Sequence, residues 1–423
     1  MIKFLAKGLL RDRSRSLFPT LTVMIGVMLT VFMYSYMNGV TNDFIRSGAS
    51  FNTGHMKVMS RAYAGESDRS PNDLAYIGSQ SLITDLKRDF PEIIWTPRIR
   101  FGGLLDIPDE KGETRAQSPV AGLGIDLFST SGPEREILNL NKAVVRGRLP
   151  GRAGEILISN ELSRRLGISL GETATLISST MYGSMAAANF KVVGTVRFGI
   201  SAMDRGAMLA DISDIQRALD MDDAAGEILG FFGDQTYRGK ETEEIVAAFN
   251  KRHQRDDEFS PVMVSLRDQN GLGETLDMFK YYSGILISVF VVVMSMILWN
   301  AGLMGSIRRY GEIGLRLAIG ENKGHVYRTM ILESLAIGLA GTIVGTALGV
   351  SISYFLQVKG INIGSMMRDA SILMSVVIRA RVTPVSFIIG FIPGLMATLL
   401  GASIAGIGIY KRQTSQLARE LET

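Results

Sequence analysis

Three charged residues at helical spacing, Arg309, Glu312 and Arg316, are the groups in this chain whose types and positions point most directly to work on a partner. Glu312 precedes Arg316 by four positions, the favourable order for an intrahelical ion pair, and Arg309 lies three before the acid. Beside this polar stripe run the apolar Ile313 and Leu317. Gly311 and Gly314 remove side-chain bulk, and Gly320, just past Ala318, supplies a helix stop. A surface of this kind grips another molecule by charge and close approach; it breaks no bonds. The residues alone leave two occupants open, a soluble protein or the anionic headgroups of a membrane surface.

Bond-making chemistry finds no foothold elsewhere. The 423 residues include no cysteine and three widely separated histidines, His55, His253 and His325, which argues against a thiolate or histidine-rich metal site. No G-x-x-x-x-G-K-[ST] phosphate loop occurs, and Gly320-Glu-Asn-Lys-Gly-His325 has neither its spacing nor its hydroxyl. G-x-S-x-G and H-E-x-x-H are also missing. Carboxylates are scattered, with no pair singled out. The expectation is a chain with no catalytic residue, no metal and no cofactor of its own. A net charge of +4 over this length gives no case for nucleic acid.

The charged stretch is tethered between two long apolar runs. Tyr281–Ile307 and Ser334–Val358 contain no Asp, Glu, Lys or Arg, and about 20 predominantly apolar residues suffice to cross a bilayer. Two more runs lie within Ser16–Asn42 and Val382–Tyr410. Transmembrane helices are therefore expected over 17–41, 281–307, 334–358 and 384–410. The first is too long for a signal h-region and has no small-x-small closing site, so it reads as an uncleaved anchor. Lysine and arginine set the orientation. They concentrate in 1–16, in the connection 308–333 and in the tail 411–423, which puts both termini in the cytoplasm. Lys359, Arg368, Arg379 and Arg381 in the opposing loop 359–383 weaken that contrast without reversing it. Gly338, Gly341, Gly345 and Gly349 stripe one face of the third span, and Gly390 and Gly394 do the same in the fourth, where Pro393 should introduce a kink. Such stripes let helix backbones approach closely in lipid.

Residues 42–280 have the composition of an α+β domain outside the cytoplasm. Strand patterns fall at Lys57–Met59, Glu155–Ile158, Thr173–Ile177, Phe190–Val196 and Pro261–Val264. Helix patterns fall at Gln80–Phe90, Asn160–Leu166, Ser213–Leu219 and Glu241–His253. Ser60–Asp73 reads as a mobile polar loop, and Thr180–Asn189 as a hairpin tip with exposed methionines able to meet an apolar client. The fold class is thus an α-helical membrane protein of four transmembrane helices, with a large α+β extracytoplasmic domain between the first and second.

Arg309-Tyr-Gly-Glu312-Ile313-Gly314-Leu315-Arg316-Leu317-Ala318-Ile319-Gly320 resembles the R-x-x-E-I-G-[LV]-x-x-A-[LI]-G-A segment of ABC transporter permeases with an FtsX-like domain. That family includes FtsX, the MacB efflux permeases and the lipoprotein-releasing LolC/LolE-type permeases. Glu333 and the glycines behind it fit, as does Met37-Asn38-Gly39, which is similar to the close of the first span in Lol-type members. Gly154–Gly171 and Phe190–Val196 resemble the core of a MacB-like periplasmic domain, whose Porter-like part would carry a Sabre-like insert at about 118–222. Glu321 departs from the usual small residue, and the tail lacks the family's Pro-x-Glu-Ala-Leu-like segment. The resemblance implies that Arg309, Glu312, Ile313, Gly314, Leu315, Arg316, Leu317, Ala318 and Gly320 form a coupling helix seated on an ABC ATPase that binds the ATP and Mg. It also implies a second permease, identical or a paired paralogue, and a periplasmic carrier or adaptor, all at the inner membrane. Lipoprotein release by mechanotransmission (type VII) is the leading expectation, ahead of MacB-like export of peptides or drugs and FtsX-like signalling to a cell-wall hydrolase. For lipoprotein release, Met37, Val40, Phe44, Phe279 and Leu286 would line the path by which acyl chains reach the spans.

Overall fold

The computed structural model describes residues 13–109, 111–129, 132–199, 201–254, 257–269, 271–307, 310–362 and 377–411. They divide into two compact units: one drawn from Met1–Asn42, Met278–Ile361 and Val377–Thr423, the other from Asp43–Asp277 and Asn362–Val376. The first helix, α1 (Arg13–Gly48), passes into a short π-helical segment, Ala49–Thr53.

The second unit is a mixed-sheet domain. Its strands are β1 (Met56–Ser60), β2 (Ile93–Pro108), β3 (Thr114–Ile125), β4 (Val144–Gly147), β5 (Glu155–Ser159), β6 (Thr173–Ser179), β7 (Met185–Val196), β8 (Ala207–Asp211), β9 (Glu227–Phe232) and β10 (Pro261–Ser265). They lie in the order β10-β1-β9-β2-β3-β8-β5-β7-β4, with β6 pairing both β2 and β7. β2 is the organising strand. Its first residues, Ile93–Arg98, pair antiparallel with β9, and Ile99 onward pairs with β3, while Leu104–Asp106 also pair with β6. Two apolar cores consequently share it. One gathers Met56, Trp95 and Phe232 under α2 (Ser79–Asp89) and α5 (Gly239–Arg252), through Leu82, Leu86 and Phe249. The other gathers Ile99, Phe101, Leu105, Ile156 and Phe190 with Leu162 of α3 (Asn160–Leu166) and Ile215 of α4 (Ile212–Ala218).

Caps place the helices where sequence expects them. Ser159 Oγ accepts from Leu162 N and Asp211 from Ser213 N, each satisfying a first-turn donor. Gly167, at φ +63°, closes α3 in the left-handed conformation that glycine tolerates. Ser60–Asp73 differs from its expected loop. Ser60 caps a helix over Arg61–Gly65, 3-10 turns follow at Ser67–Arg69 and Asn72–Leu74, and Tyr63 is wholly buried. A single aromatic anchor has organised a polar stretch that composition marks as irregular.

His55 is enclosed by Phe231, Phe232 and Tyr237, and its Nδ1 accepts from Phe232 N at 3.1 Å. Burial, opposed by Asp234 and reinforced by Arg238, lowers its pKa to about 4. Because the folded value lies below the ordinary one, neutral His55 contributes stability that is complete above pH 6.5 and drains away as pH falls toward 4. Thermal melts should therefore show a loss of about 2 kcal/mol between pH 7 and pH 5 from this group. His55→Phe keeps the ring and cannot titrate; that part of the slope should vanish in the variant.

The membrane unit holds the spans. Among the described residues, four helical stretches are long and apolar enough to cross a bilayer: Leu17–Thr53, Leu272–Asn300, Lys323–Lys359 and Pro384–Ile407. Their helices beyond α1 are α6 (Leu272–Ile307), α8 (Lys323–Lys359) and a composite fourth element. The short α7 (Tyr310–Ala318) joins α6 to α8. The fourth element runs from a 3-10 turn at Pro384–Phe387 through a π-helical segment at Ile392–Ala397 into α9 (Thr398–Lys411). Pro393 cannot donate to the ladder, and the chain answers with a π-helical turn there, the form taken by the expected kink.

Candidate functional site

The helix α7 is held by its own apolar side. Ile313 is 6% exposed and packs with Val326 and Met330 of α8, with Leu317 and Tyr327 closing over the cluster. Gly320, at φ +98°, ends the helix: Gly320 N donates to Leu317 O, and Glu321 N to Arg316 O at 3.0 Å. This pair of bonds is a Schellman cap. Glu321, the departure from the family pattern, occupies the position just beyond the glycine, where its backbone N–H completes the cap and its carboxylate lies 3.7 Å from His325 Nε2. Asn322 then caps α8 by accepting from Gly324 N at 2.9 Å. The result is a short, tightly closed corner that fixes α7 against α8.

Among the described side chains, what the end of α7 and the turn after it present outward is largely apolar. Leu315 is 59% and Ile319 78% exposed, four apart and flanked by exposed Arg316 and Ala318. The segment therefore separates by face: Ile313, Gly314 and Leu317 inward, Leu315, Arg316, Ala318 and Gly320 outward. Arg309 lies outside the described residues, as does the side chain of Glu312. The outward pair Leu315/Ile319 has an i, i+4 spacing visible in sequence, next to the charged stripe.

The glycine stripes mark helix contacts. A Cβ on Gly345 would stand 2.5 Å from Met24 O, one on Gly349 2.9 Å from Met28 O, and one on Gly341 2.8 Å from Val23. These three press α8 against α1. Gly338 faces Thr398, Gly394 faces Thr342 and Val27, and Gly390 faces Val27 at 2.6 Å, which brings in the fourth element. Buried Val23, Val27 and Val31 of α1 fill the seam with Leu298 of α6.

At the other end of α1, the backbone of Arg379 and Ala380 crosses directly over Gly39, leaving no room for a side chain there. Arg381 N donates to Ser35 O at 2.8 Å, Arg381 also bonds Asn42, Ser35 and Ser386 share a hydroxyl bond at 3.1 Å, and Val382 N donates to the Gln357 side chain. A strap over 379–386 thus closes one flank of α1, and sequence reading had no means of seeing it. Met37 and Val40, half-buried, sit on the opposite flank. Phe279 is half-buried and Leu286 exposed on α6, both in the membrane unit. Phe44 instead belongs to the mixed-sheet domain, packed with Ala49, Leu229 and Phe231. Among the described residues no cluster of His, Asp or Glu could hold a metal ion.

Helices long and apolar enough to cross a bilayer, packed along a glycine seam, with a mixed-sheet domain inserted after the first of them and a capped helix at the corner between two others, define a membrane protein of several spans. Comparison with known families gives this class its place. Residues 16–251, more than half of the chain, match the MacB-like periplasmic core domain, and residues 284–414 match the FtsX-like permease C-terminal model. The chain belongs to the FtsX-like and MacB-like permease family of ABC transporters. Its relatives include the lipoprotein-releasing system transmembrane protein LolC of Xylella fastidiosa, 25% identical over 209 residues that make up 48% of each chain. The macrolide export ATP-binding/permease protein MacB of Brucella abortus is 24% identical over 163 residues, 38% of this chain and 24% of the relative. The chain spans about half the length, or less, of these curated relatives. The crystal structure of the periplasmic region of MacB from Actinobacillus actinomycetemcomitans aligns with 54% of this chain and 95% of its own, at 14% identity and a TM-score of 0.36.

Proposed function

We propose that this chain is the non-catalytic permease subunit of an ATP-driven, mechanotransmitting transporter of the inner membrane, with both termini in the cytoplasm, and that it extracts lipoproteins for transfer outward. The observation that carries the transporter reading is the outward face of α7, an apolar pair beside an arginine on a corner capped against α8. An ABC ATPase is the partner that such a face fits, with Glu312 and Arg316 supplying the polar border of the contact. A second permease, identical or a paralogue, completes the pair of half-sites that two ATPases require.

Lipoprotein release, rather than solute passage, accords with the absence of any Asp, Glu, Lys or Arg from Tyr281–Ile307 and Ser334–Val358. Acyl chains ask only for an apolar route. The tip between β6 and β7 offers a matching feature, since Tyr182 is 75% and Met185 84% exposed, while Met181, expected to be exposed as well, is buried in the core. It is the surface assigned here to the protein cargo or its periplasmic carrier. Export of peptides or drugs through an adaptor is the second reading, favoured by the length of the MacB-like match.

The complex purified from membranes under mild extraction should carry acylated protein detectable by intact mass spectrometry. Peptide or small-molecule cargo in its place would favour the efflux reading. A sample free of either, from active complex, would turn the proposal toward signalling.

A further inference from the structure

The last four carbonyls of a helix have no partner within it. Where the chain leaves α1, four consecutive carbonyls are all held by side chains from elsewhere in the mixed-sheet domain. Arg98 Nη1 donates to Ser50 O at 2.7 Å. Arg100 Nη2 donates to Phe51 O at 2.8 Å and to Asn52 O at 3.0 Å. Gln269 Nε2, three residues before α6 begins, reaches Thr53 O at 3.3 Å. Arg98 and Arg100 stand two apart on β2, so both side chains project to one face of the strand that the two apolar cores share.

Each guanidinium is balanced by a buried acid. Glu134 takes Arg98 in a forked pair at 2.7 and 2.8 Å, and both side chains are 0% exposed. Thr96 Oγ1 adds a third bond to the same carboxylate. Glu227 is shared between Arg100 at 3.2 Å and Lys57 at 2.6 Å. Burial alone would raise the Glu227 carboxyl; Arg100 and Lys57 more than offset this and hold it below the usual range. Buried ion pairs add little stability over apolar groups of the same volume, and their best-attested use is to fix register and orientation. A wholly enclosed pair that grips backbone at a helix exit therefore reads as a positioning device.

We propose that Arg98 and Arg100, set by Glu134 and Glu227, are the joint that couples the exit of α1 to the central strand β2, so that displacement of α1 is delivered to both cores of the domain. This rests on the transporter reading above. The two arginines are positioning residues: they touch no cargo and act through the Ala49–Thr53 segment. Planar, five-donor guanidinium groups suit the task, because one group can hold a carboxylate and a carbonyl together.

The test uses the full chain with its ATPase in lipid nanodiscs. Hydrogen exchange over 93–125 and 173–196 is compared between nucleotide-free and ATP–vanadate states. In the wild type a nucleotide-dependent change is expected in both segments. Arg98→Met combined with Glu134→Leu removes both charges at similar volume; the complex should stay folded, keep its basal ATPase rate and lose that change. A folded double variant that keeps the change overturns the joint. If the double variant does not fold, Arg100→Met, at a half-buried position, is read the same way. A wild-type complex that hydrolyses ATP with no change in the domain overturns the transporter reading itself, a result distinguishable from failure of the joint.

Discussion

Replacing Leu315 and Ile319 together by Asp is expected to abolish stable association with the ATPase while leaving the permease folded. Both side chains face solvent, Leu315 on α7 and Ile319 in the turn that closes it, and neither contributes to the cluster of Ile313, Val326 and Met330. Covering the pair in a complex would remove from water apolar surface worth roughly 3 kcal/mol in total, about a 100-fold change in Kd. Introducing two carboxylates into the same contact adds a desolvation cost, so the loss should exceed that figure. Ile313→Ala makes the complementary case. Its side chain holds α7 against α8, and a large-to-small change in such a cluster costs about 2 kcal/mol or more, so melting temperature should fall while the outward surface keeps its chemistry. Affinity for the ATPase and thermal stability thus separate the two faces of one short helix. Retention of the ATPase by the Leu315→Asp/Ile319→Asp variant would show that the docking surface lies elsewhere.

That separation was only half legible in the sequence. The charged stripe, the glycine stop and the flanking apolar runs were all visible, because each is a local pattern. Which apolar residues turn inward depends on the angle between α7 and α8, fixed by the Gly320 corner and the Asn322 cap, and no local pattern reports an angle. The same limit appears at the spans. Hydropathy marks where charges stop, so α6 was expected from Tyr281, whereas the helix begins at Leu272 and carries Glu274, Asp277 and Lys280 in its first turns. Glu and Lys are good helix formers, and leaving the apolar run does not end a helix. In the mixed-sheet domain, short strands with clean apolar content were found. β2, β3, β4, β8 and β9 were missed: Gly, Pro and Arg interrupt the pattern in β2 and β3, and long-range pairing rather than local propensity sets these strands. Arg98 and Arg100 look like surface charges in sequence; only Glu134, Glu227 and the α1 exit make Arg98 an interior group and Arg100 a half-buried one.

Gly345→Leu is expected to disrupt the membrane unit more severely than any other single change on the seam, and a second glycine supplies the control. A Cβ on Gly345 would lie 2.5 Å from Met24 O and 3.0 Å from Val27 Cβ, so relief would require moving the backbone of α1, not a flexible side-chain tip. Overpacking in a tight interior costs about 1–3 kcal/mol where side chains can shift, and contact with backbone puts this case at the upper end or beyond. In lipid there is no hydrophobic drive to restore the contact once the helices part, since acyl chains are as apolar as leucine. Gly284, on α6, has nothing within 4 Å of its Cβ position. Gly284→Leu adds the same side chain to the same apolar surroundings and should leave melting temperature and monodispersity in detergent unchanged. Equal loss in both variants would assign the effect to added bulk or altered insertion; loss confined to Gly345 assigns it to the α1–α8 contact. The contrast also bears on transmission, because α8 receives α7 at one end and meets α1 along this seam. A permease that keeps its ATPase on the Leu315/Ile319 face but has α8 parted from α1 should hydrolyse ATP without driving the domain that α1 enters.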